Sequence, residues 1–210
     1  MREAPLWDRG YREPMTSITH ITLESPDPTA AATFYEKAFG LGQLITTSKS
    51  DEPTSGFRGF TLSLVVEQVA TVQALLDAAV AAGGTVIKPV AKSMWGTGAS
   101  IQAPDGSVWT LATSAKKDKE AATAEVPKLV LLLAQEDVAA SKQFYIDHGF
   151  TVAKSFGKYI EFAMPGAIGL ALYSRKALAK NAGVDPEGSG SHRLAIGGGS
   201  FTDPSGFVWA

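Results

Sequence analysis

Two short phrases occur twice in this chain, in the same order, and that repetition limits its fold more than any other feature. Phe34 and Tyr35 lie inside a helix-patterned segment that follows a strand-like one and ends at a glycine, and Phe144 and Tyr145 lie inside a second such segment. Further along, Pro104, Gly106 and Trp109 in IQAPDGSVWTLA are matched by Pro204, Gly206 and Trp209 in FTDPSGFVWA. Two separate echoes in one order point to a duplicated unit, so the chain is expected to hold two similar halves of one architecture.

The duplicated unit belongs to an ordinary globular chain. With 210 residues, 45% of them hydrophobic and 19% charged, it can bury either one large core or two small ones. Its 19 basic and 21 acidic residues leave a net charge of -2, so no broad positive field exists for phosphate backbones or anionic membranes. Neither nucleic acid nor membrane is therefore an expected partner. The absence of cysteine excludes disulfides, thiolate metal sites, iron-sulfur clusters and a thiol nucleophile. No apolar run approaches the roughly 20 residues that cross a bilayer, and the N-terminus lacks the basic-then-apolar order of a signal peptide. A cytoplasmic location is expected by default.

Periodicity divides the chain further. In SITHITLE, Ile21 and Leu23 point one way and His20, Thr22 and Glu24 the other, as in a half-buried strand. Residues 29–39 carry Ala31, Phe34, Tyr35 and Ala38 at helical spacing before Gly40, and 43–47 read as a short strand. FTLSLVVE alternates again from Phe60. Val72, Leu75, Leu76, Ala79 and Val80 then predict a helix closed by Gly83 and Gly84. Residues 85–89, 99–103 and 108–113 read as three strands. The second half offers a strand at 129–133, a helix at 138–147 and a hairpin at 159–164 and 168–173. The expected layout is an N-terminal arm (1–14), a first module (15–115), a charged, Ala-rich linker (116–125) and a second, trimmed module (126–210). Each copy is trimmed in a different place. The first has little room for a hairpin between Ile45 and Phe60, and the second has only Gly197 to Gly199 after His192 where a helix would stand.

The order strand, helix, strand, strand, strand, with FYEKAFGLG closing the first helix and PDG ahead of the last strand, resembles the vicinal oxygen chelate superfamily. That superfamily comprises glyoxalases, bleomycin-resistance proteins and extradiol dioxygenases. The resemblance implies an α+β fold of tandem βαβββ modules, with half-barrel, curled mixed sheets around a pocket. It also implies a homodimer and a divalent metal (zinc, nickel, manganese or iron) on inward-facing side chains.

Compared position by position with the family's ligand pattern, the first copy offers His20 but then Thr61 and Thr110. The second offers Lys128 or Leu129, then Glu161, His192 and finally Ala210. A catalytic metal generally wants three protein ligands and an open position. Neither copy supplies three, although His20, Glu161 and His192 together would make a two-histidine, one-carboxylate set. Alone, His20 reads better as a hydrogen-bonded side chain. Glu161 and His192 are the candidate catalytic pair, as ligands or as acid and base. The expected ligand pocket comprises His20, Thr22, Thr61, Trp95, Thr110, Tyr159 and Tyr173. Trp95 enters it because KSMWGTG leaves that residue in a turn at the rim. Strand alternation turns Trp109 and Trp209 toward the core. Three functions compete: binding of a small hydrophobic or aromatic molecule in a sheet-lined cup without a complete metal site, metal-dependent lyase or dioxygenase chemistry, and a non-catalytic structural or regulatory module whose cup is filled from within.

Overall fold

Helix boundaries fall where local chemistry satisfies the backbone groups that a helix end leaves unpaired. The computed structural model describes residues 17–118, 121–122, 128–189 and 192–210. Helix α1 (Pro28–Phe39) opens with proline, is N-capped by the Asp27 carboxylate accepting from the Ala30 amide at 2.9 Å, and stops at a left-handed Gly40. Asp137 caps α3 (Val138–Asp147) in the same way, accepting from the amides of Ala139 and Ala140. In both, a carboxylate sits at the positive end of the helix. The third expected helix, α2 (Val69–Ala81), buries Val72, Leu76 and Ala79 along one stripe.

Strands β1 (Ile21–Ser25), β2 (Ile45–Lys49) and β3 (Ser55–Gly56) belong to the first fifty or so residues. A complete strand-helix-strand-strand-strand unit follows: β4 (Phe60–Val65), α2, β5 (Thr85–Ser93), β6 (Gly96–Gln102) and β7 (Val108–Thr113). It is repeated by β8 (Lys128–Gln135), α3, β9 (Val152–Phe156), β10 (Tyr159–Phe162) and β11 (Ile168–Ser174). In each unit the first and last strands are parallel neighbours, β4 with β7 and β8 with β11. Antiparallel pairing of β4 with β8 fuses the units into one eight-stranded sheet, ordered β5-β6-β7-β4-β8-β11-β10-β9.

After β11 come α4 (Arg175–Ala182), β12 (Gly188–Ser189), β13 (Leu194–Ile196), β14 (Phe201–Thr202) and β15 (Val208–Trp209). A five-stranded sheet, β14-β15-β13-β1-β2, copies the large one at reduced size. Its parallel pairs are β1 with β2 and β13 with β15, joined by antiparallel β1 and β13. The sequence halves 15–115 and 126–210 therefore each feed both sheets, and four units are present, two complete and two trimmed. The trims are the missing hairpin between α1 and β2 and the missing helix and strand between β13 and β14. Among the elements with no counterpart in the sequence reading are β3, β9, α4 and β12.

The echoed phrases meet in the core, where the helix of one unit is latched to the turn of the next. The Tyr35 hydroxyl donates to Asp105 at 2.6 Å, over a Trp109 ring that also packs on Phe39. The Tyr145 hydroxyl donates to Asp203 at 3.0 Å and accepts from the Trp209 indole at 3.2 Å. Both tryptophans are buried, as strand alternation requires. The carboxylate follows the proline in one turn and precedes it in the other, yet reaches the same tyrosine. Burial, reinforced by the adjacent carboxylate, pushes both tyrosine hydroxyls well above their ordinary pKa.

Candidate functional site

Alternation along the large sheet separates its two faces. Leu62, Leu64, Leu111, Leu131 and Leu170 join the main core with residues of α2 and α3. Leu132, Ala134 and Ala171 face the other way, and α4 lies across them with Leu178 and Ala179 fully buried. Helix α4 is pinned at both ends. The Arg175 guanidinium donates to the carbonyls of Phe57 (2.6 Å) and Pro186 (2.7 Å) and lies over the Phe57 ring. At the other end the Ser100 hydroxyl donates to the Ala182 carbonyl at 2.6 Å and the Lys88 ammonium to the Asn181 carbonyl at 3.0 Å, so a cation meets the negative end of the helix.

This helix divides the cup. On the β8–β11 side, Tyr159 and Tyr173 pack ring to ring at 4.9 Å beside α4. One oxygen of Glu161 accepts from the Tyr159 hydroxyl at 2.9 Å and from Lys154 at 3.2 Å. Burial first, then the Glu161 hydrogen bond, pushes the Tyr159 hydroxyl upward, and burial does the same to Tyr173.

On the β4–β7 side a cavity of about 340 Å³ remains open. Ser63 and Thr110 are register partners on β4 and β7 and lie in its floor. Lys88 and Lys92 of β5 form a wall, Trp95 stands at the β5–β6 turn, and Asn181 of α4 closes one end. Trp95 is 78% exposed, whereas Ser63 and Thr110 are 8% and 6% exposed. Neither of those two hydroxyls makes a hydrogen bond among the described residues. Thr61, two positions back on β4, is fully buried with its hydroxyl unpartnered, but it does not line the cavity.

The remaining expected site residues are scattered. His20 is exposed ahead of β1, its ring nitrogen 3.0 Å from the Thr19 hydroxyl, and Thr22 bonds the Thr46 hydroxyl at 2.8 Å on the face of β1 opposite Ile21 and Leu23. His192 stacks on Phe207 and places Nδ1 2.9 Å from the Arg58 carbonyl and Nε2 2.7 Å from the Ser205 carbonyl. Arg58 holds the Asp105 carbonyl in the equivalent turn at 3.1 Å, which makes His192 its counterpart as a turn clamp. The set His20, Glu161 and His192 is not assembled, and among the described residues no three His, Asp or Glu side chains group to hold a metal ion. The physical reason is twofold: the three sit on different elements, and His192 has both nitrogens committed to backbone carbonyls.

The inward positions of the first and last strands of both complete units include Thr61, Ser63, Thr110, Ala112, Val130, Leu132, Ala134, Ala171 and Tyr173, with no imidazole or carboxylate among them. Those residues do not fit a divalent cation. Sequence reasoning missed the division of the cup by α4. Its signal is a narrow apolar stripe, Leu178, Ala179 and Ala182, ahead of Gly183 as the left-handed cap.

Among solved structures, glyoxalase I from Zea mays is similar over 87% of this chain and 74% of its own, with a TM-score of 0.58 at 16% identity. A candidate dioxygenase from Bacillus subtilis is similar over 89% of this chain and 71% of its own, with a TM-score of 0.57 at 12% identity. Residues 42–111 match the family model of the Glyoxalase/Bleomycin resistance protein/Dioxygenase superfamily. The chain has the fold of that superfamily. The matched segment contains β4, α2, β5 and β6 whole, and with them most of the cavity lining. No curated protein gives a significant sequence match. Among the described residues, no helix is long and apolar enough to cross a membrane.

Proposed function

We propose that this member of the glyoxalase fold binds a small hydrophobic or aromatic molecule in the cavity between β4–β7 and α4, without a complete metal site. The observation that carries this reading is the floor of that cavity, where Ser63 and Thr110, largely buried as residues, turn hydroxyls with no partner among the described residues into open space. Polar groups inside a fold are normally satisfied, so these hydroxyls are groups for a ligand or for water to satisfy. Trp95 supplies aromatic surface at the mouth. The lack of imidazole and carboxylate at the inward strand positions argues against chemistry on a metal there.

In the enzyme alternative, Glu161 would act with His192, as in a glyoxalase-like lyase or a dioxygenase. It is less well supported, because Glu161 is engaged by Tyr159 and Lys154, and His192 by two carbonyls. One observation favours a different second reading, a non-catalytic module filled from within: α4 already occupies the middle of the cup.

Elemental analysis of protein purified without chelators, followed by ligand-observed NMR against a library of small aromatics, tests the proposal. Only trace divalent metal is expected, together with binders whose signal is abolished by Ala112→Phe, a substitution that fills the cavity from β7. Near-stoichiometric nickel, zinc, manganese or iron, or binders indifferent to Ala112→Phe, would overturn it.

A further inference from the structure

We infer that the cavity selects an aromatic anion of one or two rings, an aryl carboxylate being the simplest case, with Lys92 as the residue that reads its charge. This rests on the cavity being a small-molecule site. Its lining contains two lysines and no Asp, Glu or His, in a chain whose overall charge is -2. Local charge at this wall therefore has the opposite sign to the whole molecule. A cavity walled by one sign of charge concentrates ligands of the other sign.

The two lysines are not equivalent. Lys88 spends one ammonium donor on the Asn181 carbonyl and holds the α4 wall in place. Lys92 forms no hydrogen bond or ion pair among the described residues, and it lies two strand positions from the β5–β6 turn that carries Trp95. An anion reaching Lys92 would thus leave its ring beside the indole. The indole can stack on that ring, and its N–H can donate to an acceptor on the ligand. On the floor, Ser63 and Thr110 can donate or accept. They suit a phenolic or carbonyl substituent on the ring, or a second carboxylate oxygen. At about 340 Å³ the cavity lies near the lower end of the volumes that hold small ligands, which fits one or two rings and not a peptide.

The test uses the full chain and two probes that share a ring and differ in charge, 2-naphthoate and 2-naphthamide, titrated calorimetrically at low and high salt. Naphthoate is expected to bind about tenfold more tightly at low salt, as one partly exposed, charge-assisted contact would give, with the preference shrinking as salt screens it. Lys92→Met should erase the preference, and Lys92→Arg should retain it. Lys92 is exposed, so these variants do not disturb the core. Equal binding of the two probes, or a preference that survives Lys92→Met, overturns the charge assignment but leaves the small-molecule reading standing. Failure of both probes to bind overturns the aromatic-anion assignment, whereas NMR binders indifferent to Ala112→Phe count against the site itself.

Discussion

Replacing Tyr35 by Phe removes one hydroxyl from a buried latch, and the structure sets how much that should cost. The hydroxyl donates to Oδ2 of Asp105 at 2.6 Å, while Ser107 serves Oδ1 through its amide (3.0 Å) and its hydroxyl (2.7 Å). Without Tyr35, Oδ2 faces only the Arg58 guanidinium, 3.8 Å away, with both side chains almost wholly buried. A hydrogen bond to a charged group is worth about 1.5–3 kcal/mol net, so a loss of about 2 kcal/mol is expected. For a chain of this size that corresponds to a fall of about 4–8 °C in melting midpoint. Urea denaturation followed by circular dichroism measures the first quantity and calorimetry the second. In an Asp105→Asn background the same substitution should cost distinctly less, because the charged acceptor is gone. A Tyr35→Phe variant within about 0.5 kcal/mol of the parent would show that this latch does not hold α1 to the turn before β7.

Two further outcomes follow from the packing. Leu178→Ala empties a fully buried site beneath α4 and should destabilise the protein by about 2–5 kcal/mol, with faster amide exchange concentrated in α4; uniform exchange would deny α4 its place as a separately anchored plug. The Tyr35 and Tyr145 hydroxyls keep their protons to higher pH in the folded chain than in the unfolded one, where tyrosine titrates near pH 10. Their contribution is therefore fully present below about pH 10 and is lost as pH rises beyond it, by up to about 1.4 kcal/mol per pH unit for each tyrosine. Tyr145→Phe should make the alkaline decline shallower, and a decline of unchanged slope would contradict the assignment.

What the sequence disclosed follows from which features act locally. The repeat was legible because Tyr35 and Tyr145, and Trp109 and Trp209, do the same work in equivalent places, so the same residue types recur. Helix α3 was legible to its last residue because Asp137 and the helical spacing are both written within ten positions. The pairing of strands was not, because β1 with β13 and β4 with β8 are long-range contacts between strands with similar patterns. Helix α4 escaped because only Leu178, Ala179 and Ala182 face the sheet and polar residues fill the rest of the helix.

The candidate site divides in the same manner. Trp95 was expected at the pocket from its turn position and Thr110 from its place in the family's ligand pattern, and both line the cavity. Glu161 and His192 were singled out by residue type at family positions. Residue type alone carries no information about partners, and theirs are Tyr159, Lys154 and two backbone carbonyls. Ser63 was passed over because a serine in a strand carries no signal until its register partner, Thr110, is known.

A crystal structure grown with 2-naphthoate tests the central claim most directly. The account predicts the ring against Trp95, the carboxylate at Lys92, and a polar contact to Ser63 or Thr110. Naphthoate bound elsewhere with this cavity left to solvent, or a divalent metal coordinated by Glu161 and His192, would contradict it.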